Sequence, residues 1–243
     1  MRIFITDGTA TAFFTAVFSA YAEKECLITS DNNIQLSLDS EIINVSGDNE
    51  KSMRVQTAIE KCDLTAVDDI ILALHSCDPL KEQTAFEYVK KLLVFKSPIK
   101  KRLSLPEVIE FNELLYKIRG EVHRFKGFIR FMESKDGVLY APYSPDNDIT
   151  DLIMPHFAER MKSERFVIHD TKRKVAGMYD GREWIICGVG EAEVYLSEYE
   201  QAFKNLWKKY YSAVNIKERS HEKQMKGYMP VRYWKYLPEK EQK

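Results

Sequence analysis

The four cysteines of this chain, Cys26, Cys62, Cys77 and Cys187, include no CxxC pair. Cysteines this sparse cannot form the disulfide framework of a small secreted fold, and their spacing suits neither a zinc site nor an iron–sulfur cluster. A reduced cytoplasm is the compartment they suggest. No apolar run approaches the roughly 18 residues that a membrane-crossing helix needs. The opening MRIFITDGTA has no basic stretch followed by an apolar one, so no signal peptide is expected. A P-loop, a GxSxG elbow and a GxGxxG nucleotide fingerprint are all missing; Gly188-Val189-Gly190 starts like the last but Glu191 does not continue it. Repeats, low-complexity tracts and flexible linkers are missing too.

What is present is an ordinary globular composition, 44% hydrophobic and 30% charged, with a strong gradient of charge. Residues 1–80 hold five Lys/Arg and thirteen Asp/Glu, while 81–200 hold twenty of each. From Gln201 to Lys243 there are eleven Lys/Arg against four Glu, a net +7 under an overall charge of −1. Trp207, Tyr210, Tyr211, Tyr228, Tyr233, Trp234 and Tyr236 are interleaved with those cations. Cations neutralise phosphates and flat rings stack on bases, so a polyanion is one partner this tail suits. A solvated helix with an aromatic anchor is the other reading.

The pattern predicts an α+β protein: an antiparallel sheet flanked by helices, with a mostly helical N-terminal part. We place a soft boundary near residue 100, with an N-terminal α/β and helical part over 1–100 and an α+β domain over 101–243. RIFIT alternates as a strand, and Asp7-Gly8-Thr9 turns it into a helix with Phe13, Phe14, Val17, Phe18 and Tyr21 at helical spacing. CLIT, IQLSL and EIINV are short β-like pieces, and helical stretches follow near 51–62, 66–75 and 80–95. Ser104-Leu105-Pro106-Glu107 has the form of a capping box. Val108, Phe111, Leu115, Ile118, Val122 and Phe125 then recur at three- and four-residue spacing, which predicts a central core helix. FIRFME and VLYAPY predict a β-hairpin around Lys135-Asp136-Gly137. A helix near 149–161, kinked or restarted at Pro155, precedes three antiparallel strands, RFVIHD, VAGMYD and REWIICGV. Ser197 and Glu200 start a last helix whose Phe203, Leu206, Trp207, Tyr210 and Val214 are expected to face inward, with Lys204 and Lys208 on its other side. Five or six strands are expected in all, with RIFIT a possible member of the main sheet.

Several constellations can carry chemistry. Arg119, Glu121, His123, Arg124 and Lys126 form a polar fringe beside the core-helix seam, which Arg130 extends if its strand faces the same groove. His156 shares a helical face with Leu152, Ile153 and Arg160, so it is a general base, a metal ligand or a hydrogen-bonded core residue. His169 and Asp170 are adjacent in a strand and point to opposite faces, which disfavours a dyad unless the strand end bends. Lys172, Arg173 and Lys174 at the following turn suit phosphate contact. No metal site is expected from His123, His156 and His169, which lie on separate elements.

EVHRFKGFIRF, VLYAPYSPDND, MPHFAERM, IHDTKRKVAGMYDG and WKKYYSAVNIKERSHEKQMKGYMPVRYWKYLP occur in order. Together they resemble a bacterial family associated with DNA metabolism and DNA repair, whose genes accompany a radical-SAM protein. The C-terminal part is also similar to a domain of unknown function fused to some uracil-DNA glycosylases. The positions matching that family's motifs are Arg124, Arg130, His156, His169, Asp170, Lys172, Arg173, Arg219, Arg232, Tyr233 and Trp234. The resemblance implies DNA and the radical-SAM protein as partners. The chain itself has no CxxxCxxC and no glycine-rich methyltransferase loop, so no cofactor of its own is expected. The leading expectation is a DNA-binding accessory protein, with Arg124, Arg130, Lys172, Arg173, Lys204, Lys208, Arg219 and Arg232 contacting phosphates and Tyr233 or Trp234 stacking on a base. An alternative is a nuclease or lyase using His156 and His169 with Asp170 in support. A third is an assembly module that docks on a protein through its aromatic tail.

Overall fold

The computed structural model describes residues 1–31, 40–189, 195–214 and 222–240. By internal packing the chain divides into two units, Met1–Arg119 and Gly120–Lys243. In the first unit β1 (Arg2–Thr6) lies between β2 (Cys26–Thr29) and β3 (Glu41–Val45), both parallel to it, with Arg2 in register with Cys26 and Glu41. A parallel pair needs a long crossover, and α1 (Ala10–Ala20) supplies it between β1 and β2. The N-terminal part is therefore not mostly helical, because its short apolar strands align in a sheet of their own. RIFIT is the central strand of that sheet and does not join the larger one. IQLSL lies outside the described residues.

The turn between β1 and α1 is held by its own side chains. Asp7 accepts from the Thr9 amide at 2.9 Å and hydroxyl at 2.6 Å, and Gly8 takes φ +82. Thr9 then accepts the Ala12 amide as N-cap. Helices α2 (Asn49–Glu60), α3 (Ala66–Leu74) and α4 (Lys81–Phe95) complete the unit with the first half of α5 (Pro106–Phe128). Phe13, Phe14, Ile59, Ile70, Phe86 and Leu92 build its core. Tyr88 stacks on Phe111 at 4.0 Å between ring centres. The predicted seam of α5 is buried at Val108, Phe111, Leu115, Ile118 and Phe125, while Arg119 on its flank joins Lys100 in pairing with the buried Asp69.

The second unit is a five-stranded sheet in the order β4–β5–β6–β7–β8. The expected hairpin is present as β4 (Met132–Glu133) and β5 (Leu139–Tyr143), turning at Gly137 with φ +72. Strands β6 (Phe166–Asp170), β7 (Val175–Tyr179) and β8 (Trp184–Gly188) form the expected antiparallel unit. The sheet as a whole is mixed rather than antiparallel, since β5 and β6 run parallel. A parallel pair needs a crossover, and α6 (Thr150–Arg160), which continues through Pro155, supplies it. One face of the sheet, with Phe166, Ile168 and Tyr179, is covered by α6. The described strands number eight, above the five or six expected. No helix among the described residues is long and apolar enough to cross a membrane.

After the sheet come α7 (Glu200–Val214), α8 (Glu222–Tyr228) and two 3-10 turns, Val231–Tyr236 and Pro238–Lys240. The 3-10 turns are seated in the unit, with Tyr233 and Leu237 each 1% exposed. The inward face expected for α7 is the outward one: Phe203, Leu206 and Tyr210 are 57%, 61% and 58% exposed. Of the four whose side chains are described, only Trp207 is drawn partly in, through contacts with Arg130 and Glu239; the side chain of Val214 lies outside the described ones.

Gly177 fits the sheet to α6. A Cβ there would collide with the thioether of Met154, itself fully buried. Gly177→Ala is expected to cost about 1–3 kcal/mol as overpacking. In urea unfolding its loss and that of Met154→Ala should be less than additive in the double variant, because the clash disappears with the methionine.

Candidate functional site

Glu121 lies three residues after Ile118 and four before Phe125, on the buried stripe of α5, and is 1% exposed. Its carboxylate accepts from the backbone amides of Asp146 and Asn147, both at 2.8 Å, from the Asn147 side-chain amide at 2.6 Å, and from the Tyr233 hydroxyl at 2.6 Å. A buried carboxylate is tolerated only when its lone pairs are filled this way. Burial, with the bond to Glu121, pushes the Tyr233 phenol well above its ordinary range. The Phe125 ring meets Tyr143 at 5.1 Å and Tyr233 at 4.6 Å, so the polar hub sits beside an aromatic wall.

The sequence-predicted cations converge on the same 145–147 loop. Arg173 donates to Asp170 at 2.8 Å, to the Pro145 carbonyl at 3.2 Å and to the Asp146 carbonyl. Asp170, fully buried, also accepts the Lys172 and Arg173 amides, at 2.9 and 3.2 Å. Arg232 bonds the Asp146 carboxylate and reaches the Tyr233 oxygen at 3.1 Å. Asp170, Arg173, Arg232 and Tyr233 thus come together as a clamp on one loop, with Tyr233 inside it. Lys172 is exposed at the turn.

Arg130 belongs to a second cluster. It donates to Glu239 at 2.7 Å, to the Gly127 carbonyl at 2.7 Å, and lies 5.1 Å from the Trp207 ring centre. The Trp207 indole donates to the other Glu239 oxygen, also at 2.7 Å. Burial pushes the Glu239 carboxyl up, but Arg130 and Trp207 with its own backbone hold it below the ordinary range. Beside this clasp opens a groove of about 770 Å³, floored by Phe131 and Leu139 and walled by Phe203, Leu206, Trp207 and Tyr210. Glu200 is nearly buried at its edge and accepts the Glu133 amide at 3.0 Å. Lys204 lines the groove, and Lys208 lies one turn further along α7.

The histidines lie elsewhere. His169 points to the sheet face away from α6, where its Nδ1 is hydrogen-bonded to the Tyr140 hydroxyl at 2.7 Å and its buried Nε2 has no partner. Burial lowers its pKa, partly opposed by Asp170. His156 rides on α6, over the other face, with its pKa lowered by burial and then by Lys126 and Arg160. His123 is exposed on α5. The sheet therefore stands between His156 and His169, and Asp170 points away from His169. Among the described residues no three or more His, Cys, Asp or Glu side chains gather as a metal site. Arg124 is half-buried with an unpartnered Nε, and Trp234 donates to the Met229 carbonyl at 3.0 Å under Lys240, 5.3 Å from its ring. Arg219 lies outside the described residues.

Sequence reasoning set Glu121 in a polar fringe beside the seam, whereas it is buried in it, and it missed Tyr140, Asp146 and Glu239. Glu121 was within reach, since its spacing from Ile118 and Phe125 is that of the buried stripe. Glu239 carries no such signal, because its partners come from residues 130 and 207.

Two outcomes follow from these groups. Tyr233→Phe removes one bond to a buried carboxylate and should lower unfolding free energy by about 1.5–3 kcal/mol in denaturant titration. A depressed histidine pKa means that the unfolded chain binds more protons, so stability falls as pH drops through the unfolded value of about 6.5 and levels off below the folded one. His169→Gln should flatten that acid limb in melting temperatures measured between neutral and mildly acidic pH.

No curated protein and no solved structure gives a significant match to this chain. A family model does match, over residues 79–239, a span that takes in the Glu121 hub, the clasp at Arg130 and the α7 groove. The chain belongs to that family, the domain of unknown function DUF4130.

Proposed function

We propose that this chain is an accessory protein of DNA metabolism that holds a partner protein on α7. The observation that carries the reading is the exposed stripe of Phe203, Leu206, Trp207 and Tyr210, at positions i, i+3, i+4 and i+7, along an apolar groove. A stripe with that period is complementary to another helix. The occupant we assign is an amphipathic helix of the partner with an apolar seam and flanking carboxylates. The carboxylates at the groove are already engaged, Glu200 with the Glu133 amide and Glu239 with Arg130 and Trp207. The exposed Lys209 beside the stripe and Lys204 in the groove would meet acids on the incoming helix. The resemblance read from the sequence names the partner, a radical-SAM protein encoded nearby, and makes DNA the shared substrate.

For DNA contact, Arg130, Arg173 and Arg232 would have to leave partners inside the unit. Lys172 and Lys174 are exposed, and the Thr171–Tyr236 hydroxyl bond of 2.8 Å brings the exposed Lys235 to the same turn. This short basic strip suits phosphates without base readout. Catalysis by His156 and His169 as an acid–base pair has less support, since they lie on opposite sides of the sheet.

The test uses the full chain with the neighbouring radical-SAM protein. Leu206→Asp, at an exposed position, should weaken co-purification at least tenfold while the chain stays folded. Unchanged retention, or no retention of the wild type, overturns the docking reading. In a DNA titration over salt, Lys172→Ala with Lys174→Ala should reduce the salt slope by about two, roughly one for each phosphate contact. An unchanged slope removes the strip from the interface.

A further inference from the structure

The outer edge of β8 has the pattern of a strand that pairs with itself. Among the described residues β8 is the last strand of its sheet, and its sequence WIICG has no charge, proline or lysine to guard it. Trp184, Ile185 and Ile186 are 37%, 62% and 40% exposed. The opposite edge is treated differently. There the chain covers β4 with a bridge between Ser134 and Leu196, backed by bonds from Lys135 to Tyr195 and from Ser197 to Glu133, both 2.9 Å. In the smaller sheet the Gln83 side chain caps an amide of the edge strand β2, at Ile28.

The hydrogen-bond phase of β8 fixes which groups face out. Val189 donates to Lys174 at 2.8 Å and Asp180 donates to Glu183 at 3.2 Å, both in the register of the β7–β8 pair. Bonded pairs alternate along an antiparallel ladder, so residues 183, 185, 187 and 189 bond inward to β7. Trp184, Ile186 and Gly188 turn their N–H and C=O groups outward, and none of these groups has a partner strand among the described residues.

We infer that two copies of this chain pair antiparallel through β8, about a two-fold axis at Ile186. In that register Ile186 faces Ile186 of the second copy, and Trp184 faces Gly188 across the axis on both sides. All three are bonded pairs, each exchanging two N–H···O bonds. The side chains agree with the backbone. A Cβ on Gly188 would meet nothing within 4 Å, and the opposing indole lies over that open site, the arrangement by which an aromatic ring compensates an edge glycine. On the other face Ile185 meets Cys187. Glu183 falls opposite Val189, so no like charges oppose each other. The contact is isologous and closes on itself, which gives a dimer with a sheet continuous across the axis rather than a filament.

The decisive residue is the one that faces itself. In sedimentation equilibrium the wild type should be dimeric, and Ile186→Lys and Ile186→Glu should each weaken association at least tenfold by placing like charges on the axis. An equimolar mixture of the two variants should associate again, as a heterodimer. Circular dichroism checks that both variants fold, as the exposure of Ile186 leads us to expect. A monomeric wild type, dimers unaffected by either charge, or a mixture that stays monomeric would each overturn the proposal. Leu206→Asp should leave the dimer intact, which separates this contact from the docking on α7.

Discussion

A charged oxygen pair inside a protein must find donors, and the second unit is arranged around meeting that demand for Glu121. Desolvating a carboxylate costs several kcal/mol even after relaxation. Four donors answer it, two from consecutive backbone amides, one from Asn147 and one from Tyr233. Those donors come from the 145–147 loop and from the last stretch of the chain. One carboxylate therefore fixes both the approach to α6 and the place where the C-terminal turns are seated. Arg173 and Arg232 hold the same loop from the outside, through its carbonyls and through Asp146.

This arrangement reassigns the basic tail. An arginine that bonds an internal carboxylate and backbone carbonyls is a structural clamp, and moving it to a phosphate would leave Asp170 or Glu239, both buried, without its cation. Within the last 43 residues Arg232 is likewise committed, to Asp146, so their +7 overstates the charge on offer to a polyanion. The aromatic and apolar residues divide in the opposite sense. Tyr233 is held in the core by the hub, whereas Phe203, Leu206 and Tyr210, whose spacing suggested a core face, are on the surface.

The elements themselves were legible. RIFIT, CLIT and EIINV are strands, the 108–125 seam is buried at nearly every position named, and the hairpin at Gly137 and the three strands after residue 165 are where alternation and turn residues put them. Strand direction was also within reach, because a helix between VLYAPY and RFVIHD is the usual crossover between parallel strands. What periodicity could not show is which side of α7 has a neighbour. Helical spacing says that four apolar residues share a face, and only the tertiary fold says whether anything covers it. The partners of Arg130, Arg173 and Arg232 were hidden for a related reason. Two of those three pairs join residues far apart in the chain, and nothing local distinguishes a clamped arginine from a free one.

The two exposed apolar features, the stripe on α7 and the edge of β8, differ in what they ask of a partner. A helix stripe is satisfied by side-chain burial alone and accepts any surface with a matching seam, so its specificity must come from charges at its margin. An open strand edge asks for backbone donors and acceptors in phase, which another strand supplies in only a few registers. With Ile186 on the axis, β8 meets its own pattern: bonded groups at 184, 186 and 188, and a glycine opposite an indole. An identical chain matches that phase without any further sequence. The stripe on α7, bordered by lysines, fits a different and acidic helix better than a second copy of itself. The self-pairing proposed at β8 and the docking proposed on α7 rest on that difference in chemistry.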